Sequence, residues 1–555
     1  MTQEPHFHVR IDPTASLLHI EISLAIEDGD TFFLPVWIPG SYLIREFERA
    51  IQDLRIESLS DAKVRLSRED KTTWRIHASA ATEVTLRYSI YGHELSVRSA
   101  HIDHTHAFFN GANALVCFER FRDCQQRVSI TAPEGWISFV SLPEDRHAFV
   151  ADNYVHLADT AFEIGPHPHH AFEVDGVPHR MIFWGSEGLP LRLPALEEDT
   201  RAIIQQNRDT FGRPLPYERY DIIFHITPEV RGGLEHRDST TLATPWHFFE
   251  SEEGYLDMLT LIAHEHFHAY NGRRLAPASL EHVDFTRENY TTELWVIEGF
   301  TSYFDELNTY KAGKMTYAQW LDRTAKALTR LHQTYGRLRQ PLTEASFDAW
   351  IRLYRPYEHT RNQTVSYYLK GSLVAMAMDL RMQQVTEGAR GLKDVLQELW
   401  ARWADANVHY TIDSVLKIVR TYTDENIAEE FHGWITGTEE PPYRELLEQR
   451  GVIWEEVTSD PPVIGATFDL SGSSPVVASI DEHCAHAFRE LLPGDELVAI
   501  DGRRVRSATF SARLKAIVGD EPTQHRLTVF QLERLREIEV TLVKQKEIRL
   551  RAQEP

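Results

Sequence analysis

The densest chemistry in the chain lies in the string HEHFH, which fits HExxH with His264, Glu265 and His268. On a helix, residues four apart sit one turn apart on the same face, so both imidazoles can reach one metal ion. Glu265 then lies beside the ion rather than on it, where it can take a proton from water activated there. His266 points elsewhere on such a helix and reads as a bystander. The preceding DMLTLIA is apolar enough to bury the back of the helix, and Asn271-Gly272 supplies a stop.

Hydrolytic zinc sites usually keep three protein ligands and one open position, so a third donor is required. Glu298 sits in the apolar run ELWVIEGFTSYFDEL, where a carboxylate is costly to bury without a partner and a dication is the best partner available. Glu288, in DFTRENYT, is the competing candidate, in a segment that reads as a loop. Asp305, two helical turns beyond Glu298, is either an acceptor that orients a ligand histidine or a solvated acid on the helix face.

These residues need elements to hold them. Residues 1–172 read as an all-β N-terminal domain. LLHIEISLAI (17–26), TFFLPVWIP (31–39), TTWRIHASA (72–80), EVTLRYSIYG (83–92) and QRVSITAP (126–133) are short runs bounded by turn residues. Residues 173–455 read as an α+β domain. A helix over 195–211 and a strand over 220–227 lead into helical patterns at 256–270, 293–312, 317–335, 368–384 and 392–404. Residues 456–548 return to strands around a helix near 510–518, with Asp501-Gly502 as a hairpin turn, and the charged tail from 544 is expected to fray.

Composition sets the outer bounds. A chain of 555 residues is too long for one core, which is why three domains are expected. No apolar run is long enough to span a membrane. A formal charge of −25 argues against nucleic acid and anionic membranes as partners, and suits a cationic ligand such as a peptide amine. The start, MTQEPHFHVRIDP, does not look like a signal peptide, and Cys117, Cys124 and Cys484 form no patterned set, so a cytoplasmic protein is expected. The histidine clusters HIDHTH (His101, His104, His106) and PHPHH (His167, His169, His170) lack helical ligand spacing. They read as surface or loop residues, the second in a proline-rich linker.

Several strings together resemble the glycyl aminopeptidases, zinc HExxH peptidases of the gluzincin type: HEHFHAYNGRRLAP (264–277), RENYTTELWVIEGFTSYF (287–304), GGLEHRDST (232–240) and SYYLKG (366–371). WIPGSYLIREFER (37–49) and HAFFNGANAL (106–115) are similar to that family's N-terminal domain. The resemblance implies a thermolysin-like catalytic domain with one zinc ion held by His264, His268 and Glu298, and Glu265 as general base. It implies that Gly232 and Gly233 let a substrate backbone approach closely, and that Glu235 holds the free α-amine of a peptide. It also implies a tyrosine of the YxKG pattern, Tyr368, as oxyanion donor, with Tyr367 one residue of register away. Small N-terminal residues, glycine or alanine, are the implied substrates. FRELLPGDELVAIDGRRV (488–505) resembles the central hairpin of PDZ domains, so a C-terminal peptide is a possible ligand of that module. A zinc endopeptidase and a non-catalytic peptide-binding adaptor are the alternative functions.

Overall fold

Leu17–Ile26 alternates buried and partly exposed residues along its whole length, as a strand with one face on a core must. It is a central strand of a seven-stranded sheet, antiparallel to His6–Asp12 on one side and to Thr82–Tyr91 on the other. Gln126–Thr131 adds parallel to His6–Asp12. Two four-stranded sheets complete this β-rich N-terminal region. Of the run 31–39 only Thr31–Phe33 is strand, because Pro35 and Pro39 cannot donate to a ladder.

The computed structural model describes residues 4–488 and 490–553, so Arg489 of the FRELLPGD string lies outside the described residues. The chain forms two compact units, one of Met1–Thr291, Phe304–Met315 and Leu396–Thr411, the other of Thr292–Tyr303, Thr316–Val395 and Ile412–Pro555. Among the described residues no helix is long and apolar enough to cross a membrane.

In the first unit, a mixed five-stranded sheet follows the β-rich region. Its order is His169–Val174, Val177–Trp184, Tyr220–Thr227, Ser239–Pro245, Gly232–Glu235. The central strand Tyr220–Thr227 is buried at every residue and parallel to both neighbours, while Gly232–Glu235 is an edge strand antiparallel to Ser239–Pro245. Helices Leu193–Phe211 and Glu252–Phe267 pack against each other, and the second also packs on the edge hairpin. The segment 167–170 is therefore no linker, since His169 and His170 begin a strand.

The second unit is a helical body followed by C-terminal sheets. Tyr317–His332 opens with a capping box between Thr316 and Gln319, and Leu369–Val385 is buried along most of its length. Ile412–Tyr422 and Glu425–Thr436 follow, the latter capped by the Asp424 side chain. A sheet built from Ala466–Asp469, Val476–Ile480, Glu496–Ile500, Thr523–Gln531 and Arg534–Leu542 encloses its own apolar core with the helix Phe510–Ile517. The turn Asp501-Gly502 has φ of 53° and 70°, the left-handed pair that a tight hairpin needs. The tail does not fray. Lys546–Ala552 pairs antiparallel with Val452–Thr458 and buries Ile548 and Leu550, whose spacing of two is the strand signal that the surrounding charges obscure.

Candidate active site

The helix Glu252–Phe267 is built to present its last turn. The Ser251 hydroxyl accepts from the Gly254 N–H, and Glu252 and Glu253 favour the positive end of the helix dipole. Met258, Leu259, Ile262 and Ala263 are buried. The helix ends at Phe267, earlier than its apolar pattern suggests, and leaves His268 at the C-cap. His266 faces the interior, with Nε2 2.6 Å from the Tyr217 hydroxyl and Nδ1 3.1 Å from Asn207. Burial pushes its pKa well below the usual histidine range, so it is a neutral structural residue.

His264 and His268 face one another, with their Nε2 atoms 3.2 Å apart. Each ring is fixed from its far side. Nδ1 of His264 lies 2.8 Å from the Asp305 carboxylate, and Nδ1 of His268 lies 2.8 Å from the Asn271 carbonyl oxygen. With Nδ1–H donated in both rings, both Nε2 lone pairs point into the same small volume. That donor set fits a borderline divalent ion such as zinc. Asp305 is thus an acceptor that orients His264, rather than a solvated acid.

Glu265 lies on the side of the helix that meets the edge strand. A Cβ on Gly233 would collide with the Glu265 carboxylate, so this glycine makes room for the acid itself. A Cβ on Gly232 meets open space, so Gly232 is the position where something outside the chain could approach. Arg98 donates to the Gly233 carbonyl oxygen at 2.9 Å and fixes the edge strand. At the end of that strand, Glu235 is buried, and its carboxylate lies within 4.8 Å of ligand atoms of both Glu265 and His268. The backbone of Glu235 is part of the edge-strand ladder, and its carboxylate lies in the field of the Arg273 guanidinium without forming a close ion pair with it among the described residues.

Two features around Glu235 have no sequence signal beyond their place in the quoted strings. Gly40, with φ of 86° in the WIPGSY turn, brings its backbone so close that a Cβ would sit 2.6 Å from both Glu235 carboxylate oxygens. Arg273, also close to Glu235, is instead engaged by Asp159, at 3.1 Å. Burial disfavours its charge, but Asp159 and Glu235 outweigh that and keep the guanidinium ionised.

In the second unit, Glu298 occupies the π-helical turn Trp295–Phe300 and is buried. Such turns are often found at functional sites because they redirect a side chain. Glycines bring this turn against the start of the helix Leu369–Val385: a Cβ on Gly299 would lie 2.6 Å from the Gly371 carbonyl carbon. The contact brings Tyr368 near Glu298. Burial first, then the Glu298 charge, pushes the Tyr368 phenol well above the usual tyrosine range, so it is a donor at neutral pH. Its hydroxyl lies 3.2 Å from that of Tyr354, a residue that sequence reasoning missed. Tyr367 is fully buried and donates to Tyr354 at 3.4 Å, whereas Tyr368 keeps some exposure. Lys370 is buried with Nζ 3.4 Å from the Arg337 carbonyl oxygen, and burial lowers its pKa to about 8. Glu288 lies in an irregular segment and forms part of no three-residue metal-capable group among the described residues.

Comparison with known proteins follows the same division. Residues 6–166 match the family model of the peptidase M61 N-terminal domain, and residues 257–374 match that of the M61 glycyl aminopeptidase. Curated proteins yielded no match. Among solved structures, an aminopeptidase N family protein from Idiomarina loihiensis is 26% identical, with a TM-score of 0.93 over 99% of this chain and 98% of that one. The M1 zinc metallopeptidase of Deinococcus radiodurans, including a mutant bound to a Tyr-Ser-Ala substrate, is similar at the level of fold. It is 17% identical, with a TM-score of 0.51 over 80% of this chain and 95% of that one.

Proposed function

Because the chain belongs to the M61 glycyl aminopeptidase family, and so to the peptide hydrolases, we propose that it is a zinc-dependent aminopeptidase that trims small residues, glycine or alanine, from free peptide N-termini. The ion would be held by His264, His268 and Glu298. Bound there, zinc would supply Lewis acidity that polarises a carbonyl and brings the pKa of water toward ~7.

The observation that carries the reading is the grouping of His268, Glu265 and Glu235 in one small volume, beside the paired Nε2 atoms of the two histidines. A buried carboxylate whose nearby guanidinium, Arg273, is engaged by Asp159 is costly unless a further cation visits it. Glu235 would meet the substrate ammonium, and the edge strand Gly232–Glu235 would pair with an extended peptide. Glu265 would accept the proton from the attacking water and return it to the leaving amine. Tyr368 would donate to the carbonyl oxygen as negative charge develops there.

The sheet at the C-terminal end, read as PDZ-like, leaves its edge strand Ala466–Asp469 with a single neighbour among the described residues, where the C-terminus of a peptide would add as a further strand. The activity is tested with a panel of aminoacyl reporters, each with a free or an acetylated amine, before and after removal of metal by a chelator. Zinc-restored cleavage confined to free-amine glycyl and alanyl reporters is expected. Equal cleavage of the acetylated reporters would make the enzyme an endopeptidase, and no cleavage by zinc-loaded protein would favour the adaptor.

A further inference from the structure

The histidines of HIDHTH and PHPHH take no part in the reading above; His104 and His169 are exposed as expected and His170 is half-buried, but the other three are not on the surface. His101, His106 and His167 are buried, with relative exposures of 7%, 0% and 7%. His106 and His167 converge on one side chain, and His101 reaches it through His106. Glu163, on the strand Ala161–Gly165, is fully buried and meets three imidazoles: Nδ1 of His106 at 2.9 Å, Nε2 of His167 at 2.7 Å and Nε2 of His225 at 2.8 Å. His225 comes from the central strand of the five-stranded sheet. One ligand atom each of His106, Glu163 and His225 fall within 4.8 Å of one another.

Two properties set this cluster apart from an ordinary buried hydrogen-bond network. Every ion-pair partner of Glu163 among the described residues is a histidine, so no guanidinium or ammonium balances its charge. An ionised carboxylate that is fully buried needs a counter-charge, either a proton shared among the imidazoles or a cation bound by all of them. The surroundings are also those of a built ligand set. The other nitrogen of His106 is held by His101 Nδ1 at 2.8 Å, the indole of Trp184 stacks on the His106 ring at 4.1 Å, and Phe108 meets His225 edge-on at 4.6 Å. A ring nitrogen held from behind, as in His106, and an apolar wall help to fix imidazoles around an ion, whereas Nδ1 of His225 is buried without a hydrogen-bond partner and its ring is fixed by packing alone.

We infer that His106, Glu163 and His225 form a second divalent-cation site, structural in role, with His167 hydrogen-bonded to the same carboxylate oxygen that meets His106. Two imidazole nitrogens and a carboxylate oxygen suit zinc or another borderline dication, and each of these groups would exchange a hydrogen bond for a bond to the ion. The ion would link the residue that leads into the strand Ala107–Asn110 with the strands Ala161–Gly165 and Tyr220–Thr227, which belong to two different sheets.

The test counts metal in the full-length chain after treatment with a chelating resin and reloading with zinc. Wild type should hold about two zinc ions per chain, and His264→Ala/His268→Ala about one. Adding Glu163→Gln to that double variant should remove the remaining ion. The same variants loaded with cobalt(II) should gain and lose the visible absorption of a nitrogen- and oxygen-ligated site. A folded His264→Ala/His268→Ala protein that binds no zinc would overturn the proposal and leave a shared proton as the counter-charge. If Glu163→Gln fails to fold, anomalous scattering at the zinc edge from wild-type crystals decides. A peak among His106, Glu163 and His225 is expected, and a map without one overturns the site. The HExxH reading stands or falls separately, on whether the double variant holds less zinc than wild type.

Discussion

His264 and His268 are held by the ring nitrogens that face away from each other, and the two holders differ in kind. Asn271 offers a backbone carbonyl that no side-chain substitution removes, whereas Asp305 offers a carboxylate 2.8 Å from His264. Asp305→Ala is therefore the informative change. It leaves the proposed ligands in place but frees the His264 ring, and metal affinity should fall by roughly 10–100-fold. Competition with a chromogenic chelator measures this, and an unchanged affinity would make the Asp305 contact incidental. Glu265 is the complementary case, since it is no proposed ligand and its basicity is what is at stake. Glu265→Gln keeps the shape that Gly233 accommodates and should retain zinc, yet lose on the order of 10²–10⁴ in kcat, the usual contribution of a general base. Near-normal turnover in a zinc-loaded Glu265→Gln enzyme would assign proton transfer to another group. The i,i+4 spacing made this part of the site legible, and the step of two turns from Glu298 to Asp305 made the second acid visible as an option. Sequence could not choose between its two roles, because the choice depends on where the helix Thr301–Lys311 lies against the helix Glu252–Phe267.

At the scale of elements, the second glycine of GGLEH and those of EGF and YLKG act by packing. Gly233 yields space to Glu265, and Gly299 and Gly371 let a π-helical turn meet a helix start backbone to backbone. None of this could be read from the strings, because each glycine's reason is a partner distant in the chain. The two members of the Gly299–Gly371 contact differ in tolerance. A Cβ at Gly299 would lie 2.6 Å from a backbone carbon that cannot move alone, whereas one at Gly371 would be 3.0 Å from its nearest neighbour. Gly299→Ala should destabilise by roughly 1–3 kcal/mol through overpacking and depress activity, with Gly371→Ala the milder of the two. Thermal melts and kcat on the same reporter rank the pair, and a reversed order would show that the turn relaxes. The same contact bears on the tyrosine register. Tyr367 is sealed in and bonded to Tyr354, while Tyr368 retains exposure and lies near Glu298. Tyr368→Phe should lower kcat by roughly 2.7–4 kcal/mol of transition-state stabilisation with little change in KM. Tyr367→Phe should act mainly on stability, and the opposite pattern in paired kinetic and unfolding measurements would shift the register by one.

For the whole molecule, the period-two strands of the N-terminal region and the long amphipathic helices were legible from local pattern. What joins distant segments was not, as the histidines that meet on Glu163 and the paired tail strand Lys546–Ala552 both show. Exopeptidase selectivity is a property at this scale too, because the groups that attack a carbonyl cannot by themselves distinguish the end of a peptide from its middle. Selectivity requires a fixed anion one residue away from the scissile bond, at a spot that a continuing chain would have to fill with an uncharged amide. Three separate stretches shape that spot around Glu235. Gly40 closes on its carboxylate, Asp159 occupies the nearby Arg273, and Glu265 and His268 lie within 4.8 Å. Arg273 already lies in the field of Glu235, and without Asp159 to engage it the guanidinium would neutralise Glu235 more fully and repel an incoming ammonium, so the Asp159–Arg273 pair matters as much as the acid itself. Acetylating a reporter's amine should nearly abolish cleavage by wild type, since the blocked amide can neither replace the ion pair nor escape leaving Glu235 buried and unpaired. Glu235→Ala should lose roughly one to two orders of magnitude in kcat/KM on the free-amine reporter, matching ~1.5–3 kcal/mol for a hydrogen bond to a charged group. On the acetylated reporter the same variant should lose little, so the ratio of free to blocked cleavage contracts toward one. If Glu235→Ala lowers both substrates equally, Glu235 supports the structure of the site without reading the amine, and the selectivity must come from another group.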